Sequence, residues 1–498
     1  METRPRRKSL ITLVLVVYTL LLVVLFFYSL HAYLLIFYYY KFRNRCSRNV
    51  KRLVEYPKVT VQLPIYNEKY VIHRLLKSVV ELDYPRSRLE IQVLDDSNDE
   101  TSDIVASLVQ EYRRSRFDIH HIRRGSRAGY KAGALQYGLE KAKGNYVAIF
   151  DADFLPAPDF LKEMLPSFDS PFVAGVQARW AHLNHDDSLL TRAQAIGLDN
   201  HFAMEQRLRF QAGFFINFNG TCGIWRKEAI IDAGGWHGDT LAEDLDLSYR
   251  VQLRDWKIVF RDDYSVLGEL PANAESYKIQ QNRWAKGTIQ AARKHLPQVL
   301  RSKIKGIAKY EAFVHLTCHV NFLALLGLAL FSPLIVFLKV ENIVANWYFI
   351  FASFFTIGAL GYPYQYFLSQ RELYPDYRRR IPSIAGVIAY SMGLSVSNSK
   401  AIIEGWFNQK NVFRRTPKSG GETKGYRSDS KSIVPFIEIL LGVYIFAALI
   451  YVVVNVQLIL VPFLLFYSFG FLSLGYLSIK DKLFTLGPQE VLCSRESS

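Results

Sequence analysis

Tyr146–Phe154 reads YVAIFDADF: an apolar run, Tyr146–Phe150, that stops at Asp151-Ala152-Asp153. A short continuous apolar run ended by a turn is the pattern of a strand buried on both faces, as in parallel sheets. Working outward toward the N-terminus, Lys58–Pro64 (KVTVQLP) and Phe117–Ile122 read as strands, and so does Leu89–Leu94, which stops at Asp95-Asp96-Ser97. Between them, Asn67–Leu82 carries Val71, Ile72, Leu75, Leu76, Val79 and Val80 at helical spacing, and Thr101–Tyr112 and Lys131–Lys141 read as helices. Strands alternating with helices predict a doubly wound, mainly parallel α/β sheet within residues 53–300. Such sheets bind ligands beyond the carboxyl ends of their strands, where both acidic clusters fall. The dinucleotide fingerprint and the P-loop lysine motif are both absent.

The chain has 498 residues, half of them apolar, which excludes a disordered polymer and allows about three units. Cys46, Cys222, Cys318 and Cys493 are far apart, with neither zinc-ligand spacing nor a disulfide framework, so isolated reduced thiols are expected. Apolar residues are segregated. Ser9–Tyr40 contains no Asp, Glu, Lys or Arg. At about 1.5 Å per residue it outspans a hydrocarbon core of about 30 Å, and it is too long for a cleavable signal. Ala312–Leu338 and Asn342–Gln370 are two further spans, the second with a kink expected at Pro363. Ile433–Ile479 holds only Glu438 as a charge and is long enough for two helices turning near Asn455–Pro462, which brings the expected spans to five. Ile381–Ser399 is uncharged but flanked by basic residues at both ends, the pattern of an interfacial segment. The same basic bias puts residues 41–311 on the cytoplasmic side and the N-terminus outside. The net charge of +16 is thus read as membrane topology, and no basic stripe with interleaved aromatics matches a nucleic-acid module.

Several clusters carry possible chemistry. Asp151 and Asp153 offer hard oxygen ligands suited to Mg²⁺ or Mn²⁺ bridging a diphosphate, or simply a solvated turn. Asp95 and Asp96 suit a ribose or base, or a helix cap. Glu243-Asp244 opens a helix in LAEDLDLSYR, either complementing its dipole or supplying a general base for an attacking hydroxyl. Gln280, Arg283 and Trp284 precede a basic helix: Trp284 can stack on a sugar ring or anchor at the membrane interface, and Arg283 can hold a diphosphate. Asn219-Gly220-Thr221 sits in a loop where Gly220 permits close backbone approach. Lys131 either neutralises phosphate or is a solvated first-turn lysine. Phe413, Thr416 and Lys418 lie in FRRTPK on the expected inner face.

In this order QLPIYNE, IQVLDDSND, GYKAGAL, YVAIFDADF, VQARW, FNGTCGIWR, AGGW, AEDLDLSYR, ELP and QQNRW resemble the membrane-integrated processive glycosyltransferases of family 2, and most closely the cellulose synthase-like mannan and glucan synthases. The resemblance is dense over residues 58–295 and looser in SNSKAIIEGWFNQKNVFRRTPK. Two departures stand out: Ala242 replaces the threonine of Thr-Glu-Asp, and Arg414-Arg415 precedes Thr416. The resemblance implies a GT-A domain at 53–300 inserted between transmembrane helices at 1–41, 311–370 and 433–480, with an interfacial helix and gating loop at 381–419 and a tail at 481–498. It implies metal ligation by Asp153 with Asp151, using Mg²⁺ or Mn²⁺. Pro64, Tyr66, Asn67, Glu68, Asp95, Asp96, Lys131, Asp151 and Arg283 would bind the nucleotide sugar. Asp244, with Glu243, would be the base. Trp284, Gln280, Asn219, Gly220, Thr221 and Trp180 would meet the acceptor, and Phe413, Thr416 and Lys418 would gate.

The function implied is inverting transfer of a hexose from GDP-mannose or UDP-glucose to a β-linked glycan passed through a multi-pass protein of the cell or a Golgi-type membrane. Its catalytic domain would be cytoplasmic, its partners would include membrane lipids, and nucleic acid would not be among them. Two alternatives stay open: a non-processive enzyme that glycosylates a lipid, in the manner of ceramide glucosyltransferases, and an idle transporter or scaffold retaining a nucleotide-binding fold.

Overall fold

A computed structural model describes residues 3–43, 53, 55–407, 409, 415–416 and 432–485. The chain opens with a long helix, α1 (Thr3–Phe42), followed by β1 (Val59–Ile65), α2 (Ile72–Val80), β2 (Leu89–Asp95), α3 (Thr101–Arg114), β3 (Asp118–Ile122), α4 (Tyr130–Lys141) and β4 (Tyr146–Ile149). β1 pairs in parallel with β2 and β4, and β2 with β3. Alternation decides the packing: Ala148 and Phe150 enter one core with α2 and α3, while Val147 and Ile149 enter a second with α4. α2 starts at Ile72 and not at Asn67, because Asn67 has φ +57°. Its backbone N–H donates to Ser97 Oγ and its side chain to Asn98 Oδ1, so a polar turn displaces the first helical turns.

Next come β5 (Phe154–Leu155), α5 (Phe160–Met164), β6 (Val173–His182), α6 (Leu189–Asn200), a π-helical turn (His201–Gln206), α7 (Arg207–Ala212), β7 (Gly223–Arg226), α8 (Lys227–Asp232), α9 (Glu243–Gln252) and β8 (Lys257–Gly268). The eight strands lie in the order β3-β2-β1-β4-β7-β6-β8-β5. β7 runs antiparallel to β4 and β6, and β5 antiparallel to β8, while β6 and β8 are parallel. The sheet is therefore mixed, with the parallel half nearest the N-terminus.

α10 (Ala274–Arg301) follows, capped by Asn273 Oδ1, which accepts from Ser276 N–H. QQNRW lies inside this helix, which starts after the Asn273 cap at Ala274, six residues before Gln280. Then come α11 (Gly306–Thr317), α12 (Asn321–Val340), α13 (Asn346–Ser353), α14 (Thr356–Ala359), α15 (Gly361–Leu373), α16 (Tyr377–Gly393), α17 (Ser395–Trp406), α18 (Val434–Val454) and α19 (Val461–Thr485). Among the described residues, four helical stretches are long and apolar enough to cross a membrane: Lys8–Phe42, Gly306–Val340, Val434–Val454 and Leu458–Asp481. Asn342–Gln370, expected as a fifth, is divided among α13, α14 and α15. The interruptions precede Pro363, which sits in the first turn of α15, where its missing N–H leaves no intrahelical bond unmade. Ile381–Ser399 is split between α16 and α17.

Candidate active site

An open, polar cavity lies beyond the carboxyl ends of β1, β2 and β4. Its wall takes Pro64, Tyr66 and Glu68 from the segment after β1, Asp96 after β2, Arg127, Tyr130 and Lys131 around the start of α4, and Asp151 and Asp153 after β4. The far wall is built from Trp180 and His182 of β6, Asn219 and Gly220, Glu243 and Asp244 of α9, and Gln280, Arg283 and Trp284 of α10. Glu269, Arg415 and Thr416 complete it.

At one end Asp96 is gripped through both oxygens by Arg124, Nε at 2.7 Å and Nη2 at 2.5 Å. The Arg127 guanidinium stacks 3.3 Å from the Tyr66 ring centroid, a cation–π contact that leaves a flat platform for a planar ligand. Glu68 accepts a two-pronged contact from Arg415, at 2.9 and 2.5 Å, which brings the residue before Thr416 against the turn after β1.

At the centre, Thr221 Oγ1 accepts from Asp151 N–H at 2.8 Å. Lys131 Nζ is 2.6 Å from Asp151 Oδ1 and 3.7 Å from Glu243 Oε1, and donates to Gly220 O at 2.9 Å. Burial would lower the pKa of Lys131, but the charges of Asp151 and Glu243 outweigh it and hold the ammonium more firmly protonated than usual. Asp244 Oδ1 accepts from Leu245 N–H at 2.8 Å. Withdrawal from water, and then the charge of Glu243, push its carboxyl up to about 7 against the pull of Lys131. Gly220 has φ +78°, and a methyl group there would lie 3.1 Å from Asp244 Oδ2, so backbone and space both demand glycine. Asn219 is pinned by the π-helical turn: Gln206 Nε2 donates to its Oδ1 at 3.1 Å, and its Nδ2 donates to His201 Nε2 at 3.0 Å.

Of the residues expected at the site, Asn67, Asp95 and Thr221 do not reach the cavity wall. Asn67 is spent on the turn after β1. Asp95 is buried, accepting from Ser97 N–H and paired with His121 at 2.8 Å, so it braces the β2 terminus while Asp96 faces the cavity. Thr221 acts one step back, holding the backbone of Asp151. Phe413 and Lys418 lie outside the described residues. Sequence reasoning missed Arg124, Arg127, His182, Glu269 and Arg415. The three arginines of IRRGSRAGYK ahead of Lys131, Arg123, Arg124 and Arg127, were an available signal for the first pair; His182, two residues after Trp180, shares its face of β6.

The fold and the acidic cavity are those of a nucleotide-sugar glycosyltransferase domain. Residues 57–287 match the family described as glycosyltransferase like family 2. The chain is 33% identical over 439 residues to glucomannan 4-beta-mannosyltransferase 7 of Arabidopsis thaliana, covering 84% of this chain and 76% of the relative. It is 43% identical over 253 residues to glucomannan 4-beta-mannosyltransferase 2 of the same plant; the match takes 50% of this chain and 47% of the relative, so the chain spans about half the length of that protein. Among solved structures, a mannosyltransferase from Pyrobaculum calidifontis in complex with GDP-Man and Mn²⁺ is similar in fold, with a TM-score of 0.54 at 20% identity, covering 80% of this chain and all of the other. The chain belongs to the family 2 glycosyltransferases, in the cellulose synthase-like group that holds the glucomannan 4-beta-mannosyltransferases.

Proposed function

We propose that this protein transfers a hexose, with inversion, from a nucleotide sugar to a growing β-linked glycan of the mannan, glucomannan or glucan class, and that transfer is coupled to passage across the membrane. The observation that carries the reading is convergence: Asp151, Asp153, Asp244, Arg283 and Trp284 line one cavity, although they come from sequence positions far apart. The relatives named as glucomannan mannosyltransferases and the fold neighbour with GDP-Man support a mannosyl donor.

The residues divide the work. Tyr66 and Arg127 offer a stacking face for the base, and Asp96 a carboxylate beside it. Asp151 and Asp153 are hard ligands opening on one cavity, a donor set that fits Mg²⁺ or Mn²⁺, ions that take few protein ligands and keep phosphate oxygens. Bound there, such an ion would neutralise charge on the diphosphate leaving group. Lys131 and Arg283 add positive charge for the same group. Asp244 takes the proton of the acceptor hydroxyl as it attacks the anomeric carbon, and a single displacement requires that attack from the face opposite the leaving group. Trp284, Trp180 and Gln280 hold the acceptor pyranose, the rings against its apolar face.

The test is a donor screen on the purified protein with Mg²⁺ and with Mn²⁺, reading GDP or UDP release together with linkage analysis. A β-linked polymer from GDP-mannose or UDP-glucose is the expected product. A single sugar on a lipid would replace this reading with that of a lipid glycosyltransferase. No release from any donor would remove both.

A further inference from the structure

Glu438 is the only charge between Ile433 and Ile479, and in α18 it is fully buried. Charged side chains in such helices are costly, and replacing a buried pair by apolar residues often stabilises, so stability alone is a poor reason to keep one. The partner of Glu438 is Lys278 of α10, with Nζ 2.5 Å from Oε2 and side-chain exposures of 6% and 0%. Lys278 Nζ also reaches Leu474 O of α19 at 3.4 Å, and Ala274 N–H, at the start of α10, donates to Asp481 Oδ2 at 3.0 Å. The first turns of α10 are thus tied to both helices of the α18–α19 hairpin.

The ties continue along α10. Asn282 Nδ2 donates to Ser397 O at 3.0 Å, Lys286 Nζ lies 3.4 Å from Glu404 Oε2, and Arg293 Nη1 contacts Gly405 O at 3.4 Å, all on α17. At 3.6 residues per turn, positions 278, 282, 286 and 293 share one face of the helix. Gln280, Trp284 and Gly287 fall on the opposite face, with Arg283 on the flank between the two. Gln280, Arg283 and Trp284 line the cavity, and Gly287 meets Ala242, next to the Glu243-Asp244 pair. α10 is therefore a two-sided element, clamped by polar contacts on one side and presenting cavity residues on the other.

We propose that the buried Lys278–Glu438 ion pair is a positioning device. It sets the rotation and height of α10 against the α18–α19 hairpin, so that Gln280 and Trp284 hold the acceptor in line with Asp244, while most of the donor end of the cavity stands on β1, β2, β4 and α4, with Arg283 as the contribution of α10. This rests on the glycan-transfer reading. A misplacement of about 1 Å costs on the order of a hundredfold in a positioned reaction, whereas water, which needs no holding, still attacks a bound donor.

The experiment uses the full chain in detergent or nanodiscs. Lys278→Met and Glu438→Leu are made singly and together, with the charge swap Lys278→Glu/Glu438→Lys. The double apolar variant is the informative one, because it removes both charges of the pair at once and is expected to keep the thermal midpoint. In it, affinity for GDP and UDP with Mn²⁺ falls by at most about threefold, through Arg283, and the ratio of donor hydrolysis to glycan transfer rises on the order of tenfold or more. Amide exchange of residues 278–288 speeds up while that of β1–β4 does not. The charge swap recovers most of the transfer. An unchanged ratio, or parallel loss of nucleotide binding and transfer, overturns the proposal. Should the wild type transfer no sugar from any donor, the functional reading falls and amide exchange alone decides: unaltered exchange along α10 overturns the positioning role, and faster exchange there supports it.

Discussion

Asp244 concentrates the chemistry at the residue scale. A carboxyl pushed up to about 7 is protonated over the lower half of the physiological range and is a strong enough base above it. Because kcat/KM reports groups of the free enzyme, it should fall about tenfold per pH unit below 7 and level off above it. Asp244→Asn should lose about 10²–10⁴ in transfer rate while nucleotide affinity stays within about twofold, measured by initial rates and by equilibrium binding. Retained turnover in that variant would remove Asp244 from the role of base. Asp96, Asp151, Asp153, Glu243 and Asp244 were legible in the sequence because each follows a recognisable strand or opens a recognisable helix; Glu269 was not. Arg283 was legible too, but Arg124 and Arg127 only in part: the basic run ahead of Lys131 marks them, whereas their pairings, Arg124 on Asp96 and Arg127 on Tyr66, form across the fold and no local pattern names them. Ala242 shows the limit from the other side. Its departure from threonine falls at the least chemical position of the three in Thr-Glu-Asp, and Gly287 of α10 packs so closely on Ala242 that an added methyl at 287 would sit 2.8 Å from its Cβ.

At the scale of elements, α9 and α10 are joined by Asp246. It is fully buried, paired with His295 at 2.8 Å, Lys294 at 2.7 Å and Arg250 at 2.8 Å. Lys294 also lies 2.8 Å from Asp239, so the His237, Asp239 and Asp246 cluster already holds a cation, the ammonium of Lys294. Burial opposes ionisation of Asp246, but hydrogen bonds from His295 and the charge of Arg250 outweigh it and hold the carboxyl well below its usual range. A depressed folded-state pKa stabilises fully above the unfolded value of about 3.9 and is lost as pH falls through the folded value. Asp246→Asn should therefore cost about 3–5 kcal/mol at neutral pH, because the cations around it lose their counter-charge. The gap in thermal midpoint between the two proteins should narrow below about pH 4. A constant gap would place the effect in packing instead. The parallel elements up to β4 followed from periodicity, since each strand and its helix are adjacent in sequence. The antiparallel half did not, because β7 inserts between β4 and β6 through pairings that no local pattern fixes.

Across the molecule, two halves meet: a mixed sheet carrying an acidic cavity, and helices of which, among the described residues, four are long and apolar enough to cross a bilayer. Membrane character was plain from Ser9–Tyr40 and Ile433–Ile479, where runs without charge exceed the hydrocarbon thickness. Asn342–Gln370 was harder, because uniform apolarity does not reveal where a helix breaks; the interruptions fall in Phe354-Phe355 and at Leu360, residues with no strong breaking tendency. The proposed orientation rests on charge: Lys41, Arg43, Arg45, Arg48, Lys51 and Arg52 outnumber Arg4, Arg6, Arg7 and Lys8 across α1, which favours a cytoplasmic catalytic half. That orientation and the export reading together make a strict demand on sealed, inside-out vesicles. Nucleotide sugar added outside, on the cytoplasmic face, should be consumed without detergent, and protease added to the same face should abolish consumption. The glycan formed should resist an added endoglycosidase until detergent opens the vesicles, because a chain passed through the protein accumulates in the lumen. A product digested before detergent would separate synthesis from transport and leave the helices as an anchor. Donor use that appears only after detergent would invert the orientation and, with it, the side from which the cavity is filled.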